Sequence, residues 1–267
     1  MLDDSTIAEL AQRLQRAEDE KQFIRMFSLE HPDMTVEDAY AIPRAWTAIK
    51  LSKGRVVKGH KIGLTSRAMQ SAVGIDEPDY GVLYTDMFWN DGAVIPFEKY
   101  LSARIEMELA FVLAKPLAGP DCTIFDVLDS TSYVTPALEI LESRIHRLDP
   151  ETKATRKVTD TIADNAANAA IVTGGRPFRP QDVDLRWISA LLIRNGQIEE
   201  TGVAAGVLNN PAQGVAWLAN RLALRGERLE AGAIVLSGSF TRPVDVRKGD
   251  TFHADYGVYG SVSCHFA

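Results

Sequence analysis

The sequence predicts an α+β protein in which an N-terminal helical region packs on a strand-rich remainder. Over about the first 70 residues, apolar positions recur with the three-to-four spacing of amphipathic helices. From Val56 onward, short alternating or apolar runs are separated by Gly, Pro, Asp and Asn, which is typical of strands and turns. No linker or repeat divides the chain, so we predict one unit over residues 1–267, with the helical region at about 1–70 and the β-rich core at about 71–267.

Composition excludes several classes of protein. The 267 residues are 46% hydrophobic and 24% charged, which is enough to build a large core. The net charge of −7, without any basic block, argues against a nucleic-acid partner. The only cysteines, Cys122 and Cys264, have neither disulfide-framework nor zinc-site spacing, so we expect a reducing, cytoplasmic location. The acidic N-terminus and the absence of about 18 consecutive apolar residues predict neither a signal peptide nor a membrane span.

Two helix starts can be placed in the first part of the chain. Ser5 or Thr6 is the predicted N-cap of the first amphipathic helix. Thr35, followed three residues later by Asp38, is a second start, and Gly54 is the stop. Pro43 lies within this second helix and is expected to kink or break it.

The strands and a late helix follow from pattern and caps. Asn210 followed by Pro211 predicts a helix start, with Gly226 beyond the end of that helix. The clearest predicted strands are residues 56–64, 105–114, 190–194 and 234–236.

The most informative segment is residues 104–114. Period two sends its odd-numbered apolar residues to one face and places Glu106 and Glu108 together on the other. That second face continues as Ala110 and Val112, so the carboxylates lie at the end of an apolar wall. Two such charges roughly 7 Å apart would repel unless a cation lies between them, which points to a metal ion. The alternative is a strand end in solvent that carries two surface glutamates.

A third acidic residue, Glu139, is embedded in the apolar segment 133–141 and is a candidate third ligand. Glu142 competes for this assignment, and either residue can instead mark a surface turn. If three glutamates converge, the all-oxygen set suits Mg²⁺ or Mn²⁺ better than Zn²⁺ and leaves positions open for water or substrate. The five histidines show no metal-site spacing.

Other polar residues are candidates for work on a substrate. Lys61 lies in an apolar strand that breaks at a glycine, so it is either a functional cation or a lysine at the strand edge that reaches solvent. Asp79 follows Pro78 near a turn. The segment 160–168 carries Asp164 and Asn165, and the loop 237–243 carries Ser239 and Arg242. Backbone amides in such loops and the Arg242 guanidinium can hold a carboxylate.

These stretches together resemble the hydratase and decarboxylase branch of the fumarylacetoacetate hydrolase superfamily over essentially the whole chain. The resemblance implies a mixed β-rich roll or sandwich with flanking helices, assembled as a homo-oligomer. It also implies metal ligands for Mg²⁺ at Glu106, Glu108 and Glu139 and catalytic groups at Lys61 and Asp79. From the two loops we expect substrate contacts at Asp164, Asn165, Ser239 and Arg242. Arg242 would meet the distal carboxylate of a diacid.

The implied activity is the addition of water to an unsaturated 2-oxo diacid formed in aromatic-ring catabolism. Three other functions on this scaffold stay open: a metal-dependent decarboxylase, a hydratase for the shorter 2-oxopent-4-enoate, and a non-catalytic subunit that pairs with an active homologue. A carbon–carbon bond hydrolase would need a histidine–carboxylate pair, and no histidine is placed convincingly for one.

Overall fold

Two mixed β-sheets form the centre of the protein, and helices pack around them. The computed structural model describes residues 1–267, apart from the side chain of Ala72. The α+β class predicted from the sequence is confirmed. Its helices are α1 (Asp4–Glu20), α2 (Phe27–Glu30), α3 (Val36–Ser52), α4 (Arg67–Val73), α5 (Ile124–Ser130), α6 (Val158–Ala163) and α7 (Pro211–Ala223). Among the described helices, none combines the length and the apolar character that a membrane crossing requires.

The strands are β1 (Val57–Gly63), β2 (Asp79–Tyr84), β3 (Phe88–Asn90), β4 (Ala93–Ile95), β5 (Arg104–Leu113), β6 (Thr131–Leu141), β7 (Asn168–Thr173), β8 (Ser189–Arg194), β9 (Gln197–Val203), β10 (Ile234–Leu236), β11 (Val244–Asp245), β12 (Thr251–Asp255) and β13 (Ser261–Phe266). The larger sheet has the order β2-β1-β10-β5-β6-β7-β3, with β11 added beside β5. The smaller sheet has the order β4-β13-β12-β8-β9. The four strands predicted most clearly from sequence are all present.

The N-terminal helices differ from the sequence prediction in two details. The N-cap of α1 is Asp3, which accepts a hydrogen bond from the Thr6 backbone N–H at 2.7 Å, so the assignment to Ser5 or Thr6 is wrong. The predicted cap of α3 is confirmed as a box between Thr35 and Asp38. However, α3 runs through Pro43 without breaking, because its packing on α1 and α6 outweighs the one hydrogen bond that proline removes.

The division of the chain near residue 70 stays a prediction. The first three helices end at Ser52, β1 then joins the larger sheet between β2 and β10, and α4 follows at Arg67–Val73. Leu10, Leu14 and Trp46 form the centre of a separate small core that includes Ile145 of the β-rich part. The N-terminal helices are therefore packed firmly on the rest of the chain.

Candidate active site

Three glutamates converge on the larger sheet. Strands β5 and β6 are antiparallel, and their register places Glu106 directly opposite Glu139. Glu108 lies two residues further along β5 and shares the face of Glu106, as the period of two predicts. One carboxylate oxygen from each of the three lies within 4.8 Å of the others. We call these three residues the carboxylate cluster.

The cluster contains buried oxygens without partners. Glu108 is 1% exposed and Glu139 is 0% exposed, whereas Glu106 remains partly exposed. The Gly238 backbone N–H donates to Glu108 Oε2 at 2.8 Å, but Glu108 Oε1 and both Glu139 oxygens accept no hydrogen bond within the described part of the chain. Lys61 Nζ lies 3.4 Å from Glu139 Oε1, which is an ion-pair contact without hydrogen-bond geometry. Buried carboxylates in this state need another positive partner.

The pKa values of the three glutamates also indicate that a positively charged partner is needed. Burial and the neighbouring Glu139 raise the pKa of Glu106 to about 7. Burial is also the main cause that raises the pKa of Glu108 well above its ordinary value, and the negative charge of Glu139 is the second. Burial also raises the pKa of Glu139, although Lys61 opposes the change. A hard divalent cation that prefers oxygen ligands would relieve all three effects, so the residues present fit Mg²⁺ or Mn²⁺.

Metal binding should therefore depend strongly on pH. With the pKa of Glu106 raised from 4.5 to about 7, the folded protein holds protons that the unfolded chain has already released between these values. The free energy of unfolding of the metal-free protein should fall as pH rises through this window. Because Mg²⁺ must displace those protons, we expect it to raise the melting temperature more at about pH 8 than at about pH 5.5. Thermal unfolding with MgCl₂, against KCl of equal ionic strength, tests this; equal shifts at both pH values would contradict it.

Lys61 and Asp79 meet beside this cluster. Lys61 is 4% exposed and donates to the Ala166 carbonyl at 3.1 Å, and Asp79 is 2% exposed. Asp79 pairs with Gly63 across β1 and β2. A Cβ atom at Gly63 would lie 2.3 Å from Asp79 Oδ1 and 3.1 Å from Lys61 Nζ, so both groups occupy the space that a side chain would fill. The sequence shows that this strand breaks at a glycine, but the close approach of two charged groups at Gly63 depends on the pairing of β1 with β2.

The protonation of this pair is set by its neighbours. Burial lowers the pKa of Lys61, but Glu139, Asp79, Glu106 and Glu108 together outweigh burial, and the net pKa is raised. Burial raises the pKa of Asp79, and Lys61 opposes that change in part. Lys61 is therefore held in its protonated, cationic form, and Asp79 is a carboxyl group that holds its proton more tightly than usual.

Tyr256 is a residue that sequence analysis missed. Its hydroxyl contacts the backbone carbonyls of Glu108 at 2.8 Å and Ala137 at 2.9 Å. Glu108 and Ala137 are register partners on β5 and β6, so Tyr256 ties together the two strands that carry the carboxylates. Nothing in the sequence around Tyr256 indicates this contact, because it depends on the packing of the segment after β12.

Asp164 and Asn165 lie near the site but are engaged with the protein. Asp164 is fully buried, and its oxygens accept from the backbone and the guanidinium of Arg144. The Asn165 side chain pairs with the backbone of Val82 at 2.7 and 3.0 Å. Both residues hold the segment whose Ala166 carbonyl receives Lys61. Their predicted substrate contacts stay predictions, and this geometry supports a positioning role instead.

The loop after β10 contacts the carboxylate cluster through its backbone, whereas its Ser239 and Arg242 side chains are engaged elsewhere. Gly238 donates to Glu108, as described above. The Ser239 hydroxyl is used within the loop, where it donates to the Thr241 carbonyl at 3.0 Å. The Arg242 side chain is 82% exposed and pairs with Glu200 at 2.7 Å. This ion pair engages the guanidinium with the protein, and the predicted contact of Arg242 with a distal carboxylate stays a prediction.

A separate cavity of about 720 Å³ lies beside α3, β1 and β2. It is lined by His60 and Tyr80, which alternate with Lys61 and Asp79 along their strands and so face the opposite side. None of the three clustered glutamates lines it. We place the functional site at the carboxylate cluster, because the unpaired buried charges are there.

Comparison with known proteins gives full-length similarities. The chain is 61% identical over 266 residues to 2-oxo-hept-4-ene-1,7-dioate hydratase of Escherichia coli, with 100% of both chains covered. It is 39% identical to 2-keto-4-pentenoate hydratase of Paraburkholderia xenovorans over 97% of this chain and 94% of that one. The structure of 4-oxalocrotonate decarboxylase from Pseudomonas putida G7, complexed with magnesium and adipate, matches with a TM-score of 0.94, 34% identity and coverage of 100% and 99%. No family model matches the chain.

Proposed function

The chain belongs to the hydratase and decarboxylase branch of the fumarylacetoacetate hydrolase superfamily, and from this premise we propose that it is a divalent-metal-dependent hydro-lyase. Its substrate would be 2-oxohept-4-ene-1,7-dioate, or its enol 2-hydroxyhepta-2,4-diene-1,7-dioate. Addition of water would give 4-hydroxy-2-oxoheptanedioate, as a step in aromatic-ring catabolism through homoprotocatechuate. The observation that carries the proposal is the 61% identity over the full length to the E. coli hydratase. The buried carboxylate cluster beside Lys61 and Asp79 supplies groups suited to that chemistry.

Glu106, Glu108 and Glu139 are the residues that would hold the metal ion. Magnesium and calcium are bound in the two structures of the P. putida decarboxylase, which supports a divalent cation, and the all-oxygen set favours Mg²⁺, with Mn²⁺ as the second choice. When bound, the ion would supply positive charge beside the oxygen atoms of a 2-oxo acid, where negative charge develops as protons move along the chain.

Lys61 and Asp79 would move the protons. Addition of water to a carbon–carbon double bond places one proton on carbon and takes one from water. Lys61 carries a proton that four carboxylates stabilise, and Asp79 shares the space above Gly63 with it. Lys61 in its ammonium form and Asp79 in its carboxylate form would be the acid and the base of one enclosed site. The surrounding strands exclude bulk water from Lys61, Glu108 and Glu139.

Decarboxylation is the second candidate function, favoured by the close match to the P. putida decarboxylase structure. The same group of metal ligands can support loss of CO₂ from a 2-oxo acid. The shorter pentenoate substrate is a third possibility, given the relative at 39% identity. A non-catalytic subunit would not need the lysine, the aspartate and the three glutamates in this arrangement, and all five are present.

Product analysis separates these functions. We expect 2-hydroxyhepta-2,4-diene-1,7-dioate to lose its ultraviolet absorption in the presence of Mg²⁺, with EDTA stopping the reaction and mass analysis showing the gain of one water. Bicarbonate assayed in the same samples should stay at background. Release of bicarbonate would move the assignment to a decarboxylase. Absence of turnover with dioate and pentenoate substrates would favour the non-catalytic subunit.

We also propose a homo-oligomer in the cytoplasm. Large apolar side chains remain exposed on the single chain, among them Trp187 at 74%, Phe125 at 73% and Leu224 at 74%. Contact between copies would cover such groups. The two buried cysteines are unpaired, which fits a reducing compartment.

A further inference from the structure

Three arginines gather at one end of the carboxylate cluster. Arg104 lies two residues before Glu106 on β5, so its side chain leaves the strand on the same face as Glu106 and Glu108. Arg147 donates to the Ser102 carbonyl at 3.0 Å, which holds it beside the start of β5. The Arg156 backbone N–H donates to the Arg147 carbonyl at 3.1 Å, so both residues come from one hairpin. We call Arg104, Arg147 and Arg156 the arginine cluster.

The arginine cluster makes almost no close ion pairs. In the described residues, its ion pairing consists of one long contact, 3.8 Å from Arg147 to Asp245. The Nε groups of Arg104 and Arg147 are buried and make no hydrogen bond in that same set. Asp160 and Asp164 lie near Arg156, but their oxygens are engaged by Ser28 and Arg144 respectively. Burial, together with the positive charges of Arg104 and Arg156, lowers the pKa of Arg147 to about 10. Three mutually repelling cations in this state form a site for an anion.

The arginine cluster borders the reacting groups on their open side. Arg104 lies on the strand face of Glu106, two residues away from it. Glu106 and the three arginines are partly exposed, whereas Glu108, Glu139 and Lys61 are buried. The arginines therefore lie at the end of the carboxylate cluster that is partly open to solvent.

We propose that the arginine cluster binds the carboxylate that lies far from the 2-oxo group of the substrate, and so selects dicarboxylic over monocarboxylic 2-oxo acids. This inference rests on the proposed function and names the specificity of the same site. One end of a diacid would lie at Glu106, Glu108 and Glu139, and the strand rise of roughly 3.3 Å per residue puts Arg104 about 7 Å further along β5. Guanidinium groups match a carboxylate with parallel hydrogen bonds. Arg242, paired with Glu200 and 82% exposed, does not occupy such a position.

The test uses the full-length protein with Mg²⁺ and two probes of equal length, adipate and hexanoate, which differ in the distal carboxylate alone. Calorimetry gives the dissociation constants for the wild type, Arg147→Met and Arg156→Met. We expect each variant to bind adipate about 10–100-fold more weakly, with hexanoate binding unchanged. In turnover, kcat/KM should fall by a similar factor for the seven-carbon dioate and remain unchanged for the five-carbon monoacid. Arg186→Met, an exposed arginine paired with Asp184, is the matched control and should behave as the wild type.

The melting temperature distinguishes arginines that bind a carboxylate from arginines that stabilise the fold. If the arginines repel one another as free cations, Arg147→Met should melt at the wild-type temperature or above it, whereas a structural arginine would lower the melting temperature. If Arg147→Met does not fold, Arg156→Met carries the same test. Wild-type protein that binds adipate no more tightly than hexanoate would overturn the inference, whatever its activity. The inference would also be overturned if Arg242→Met lost adipate binding selectively while Arg147→Met and Arg156→Met kept it. Failure of the wild type to hydrate any 2-oxo acid would overturn the proposed function instead, while the adipate comparison would still decide the binding site.

Discussion

Replacing Glu139 by glutamine is expected to abolish Mg²⁺ binding and to reduce hydratase activity by more than about 100-fold. Removing a group that only supports a metal ligand typically costs 10–100-fold, and Glu139 is a proposed ligand itself. Both of its oxygens are buried without a hydrogen-bond donor, and one of them lies 3.4 Å from Lys61 Nζ. Calorimetric titration with Mg²⁺ and initial rates at saturating Mg²⁺ measure the two effects.

The matched control is Glu142→Gln, three residues along the chain. Glu142 is also buried, at 4% exposed, but it accepts from the Leu101 backbone and lies 3.5 Å from Arg144. Its substitution should lower the free energy of unfolding by about 1–3 kcal/mol and leave Mg²⁺ affinity unchanged. Glu139→Gln, in contrast, removes one negative charge from a repelling group, so the metal-free protein should be at least as stable as the wild type. Normal Mg²⁺ affinity in Glu139→Gln would remove this residue from the ligand set.

Replacing Lys61 by methionine is expected to lower kcat by about 10²–10⁴-fold, the range typical of a group that transfers a proton. Methionine keeps most of the volume of the side chain, and it removes the cation that lies beside Glu139. Mg²⁺ should therefore bind as tightly as in the wild type or more tightly, because it no longer competes with an ammonium group. The combination of lost turnover and retained metal affinity distinguishes a proton donor from a residue that only organises the ligands.

Lys58→Met supplies the comparison within the same strand. Lys58 is exposed on β1, whereas Lys61 is buried, so its substitution should leave both kcat and Mg²⁺ affinity unchanged. Lys61→Met should also be less stable than the wild type at about pH 8 without Mg²⁺, because four carboxyl groups lose a neighbouring cation. Mg²⁺ should restore its melting temperature. Full activity of Lys61→Met would exclude the proposed proton transfer.

Local pattern accounts for much of what could be predicted. The helix cap at Thr35, the start at Asn210 and the strand around Glu106 follow from contacts within a few residues, and all three are present. The helix does not break at Pro43, because the packing of α3 on α1 and α6 outweighs one lost hydrogen bond. The sequence did place Lys61 in a strand, but its burial depends on β2 and β10 on either side.

By itself, the sequence determined that Glu106 and Glu108 share one strand face and that an oxygen-only ligand set is available, because the side-chain period of a strand is a local property. It also carried the family resemblance. Only the tertiary structure decided that Glu139 lies opposite Glu106, that Asp79 meets Lys61 above Gly63, and that Arg242 pairs with Glu200 in solvent. It alone brought Arg104, Arg147 and Arg156 together. Register, burial and the choice of ion partner depend on residues far apart in the chain, and no spacing along the sequence encodes them.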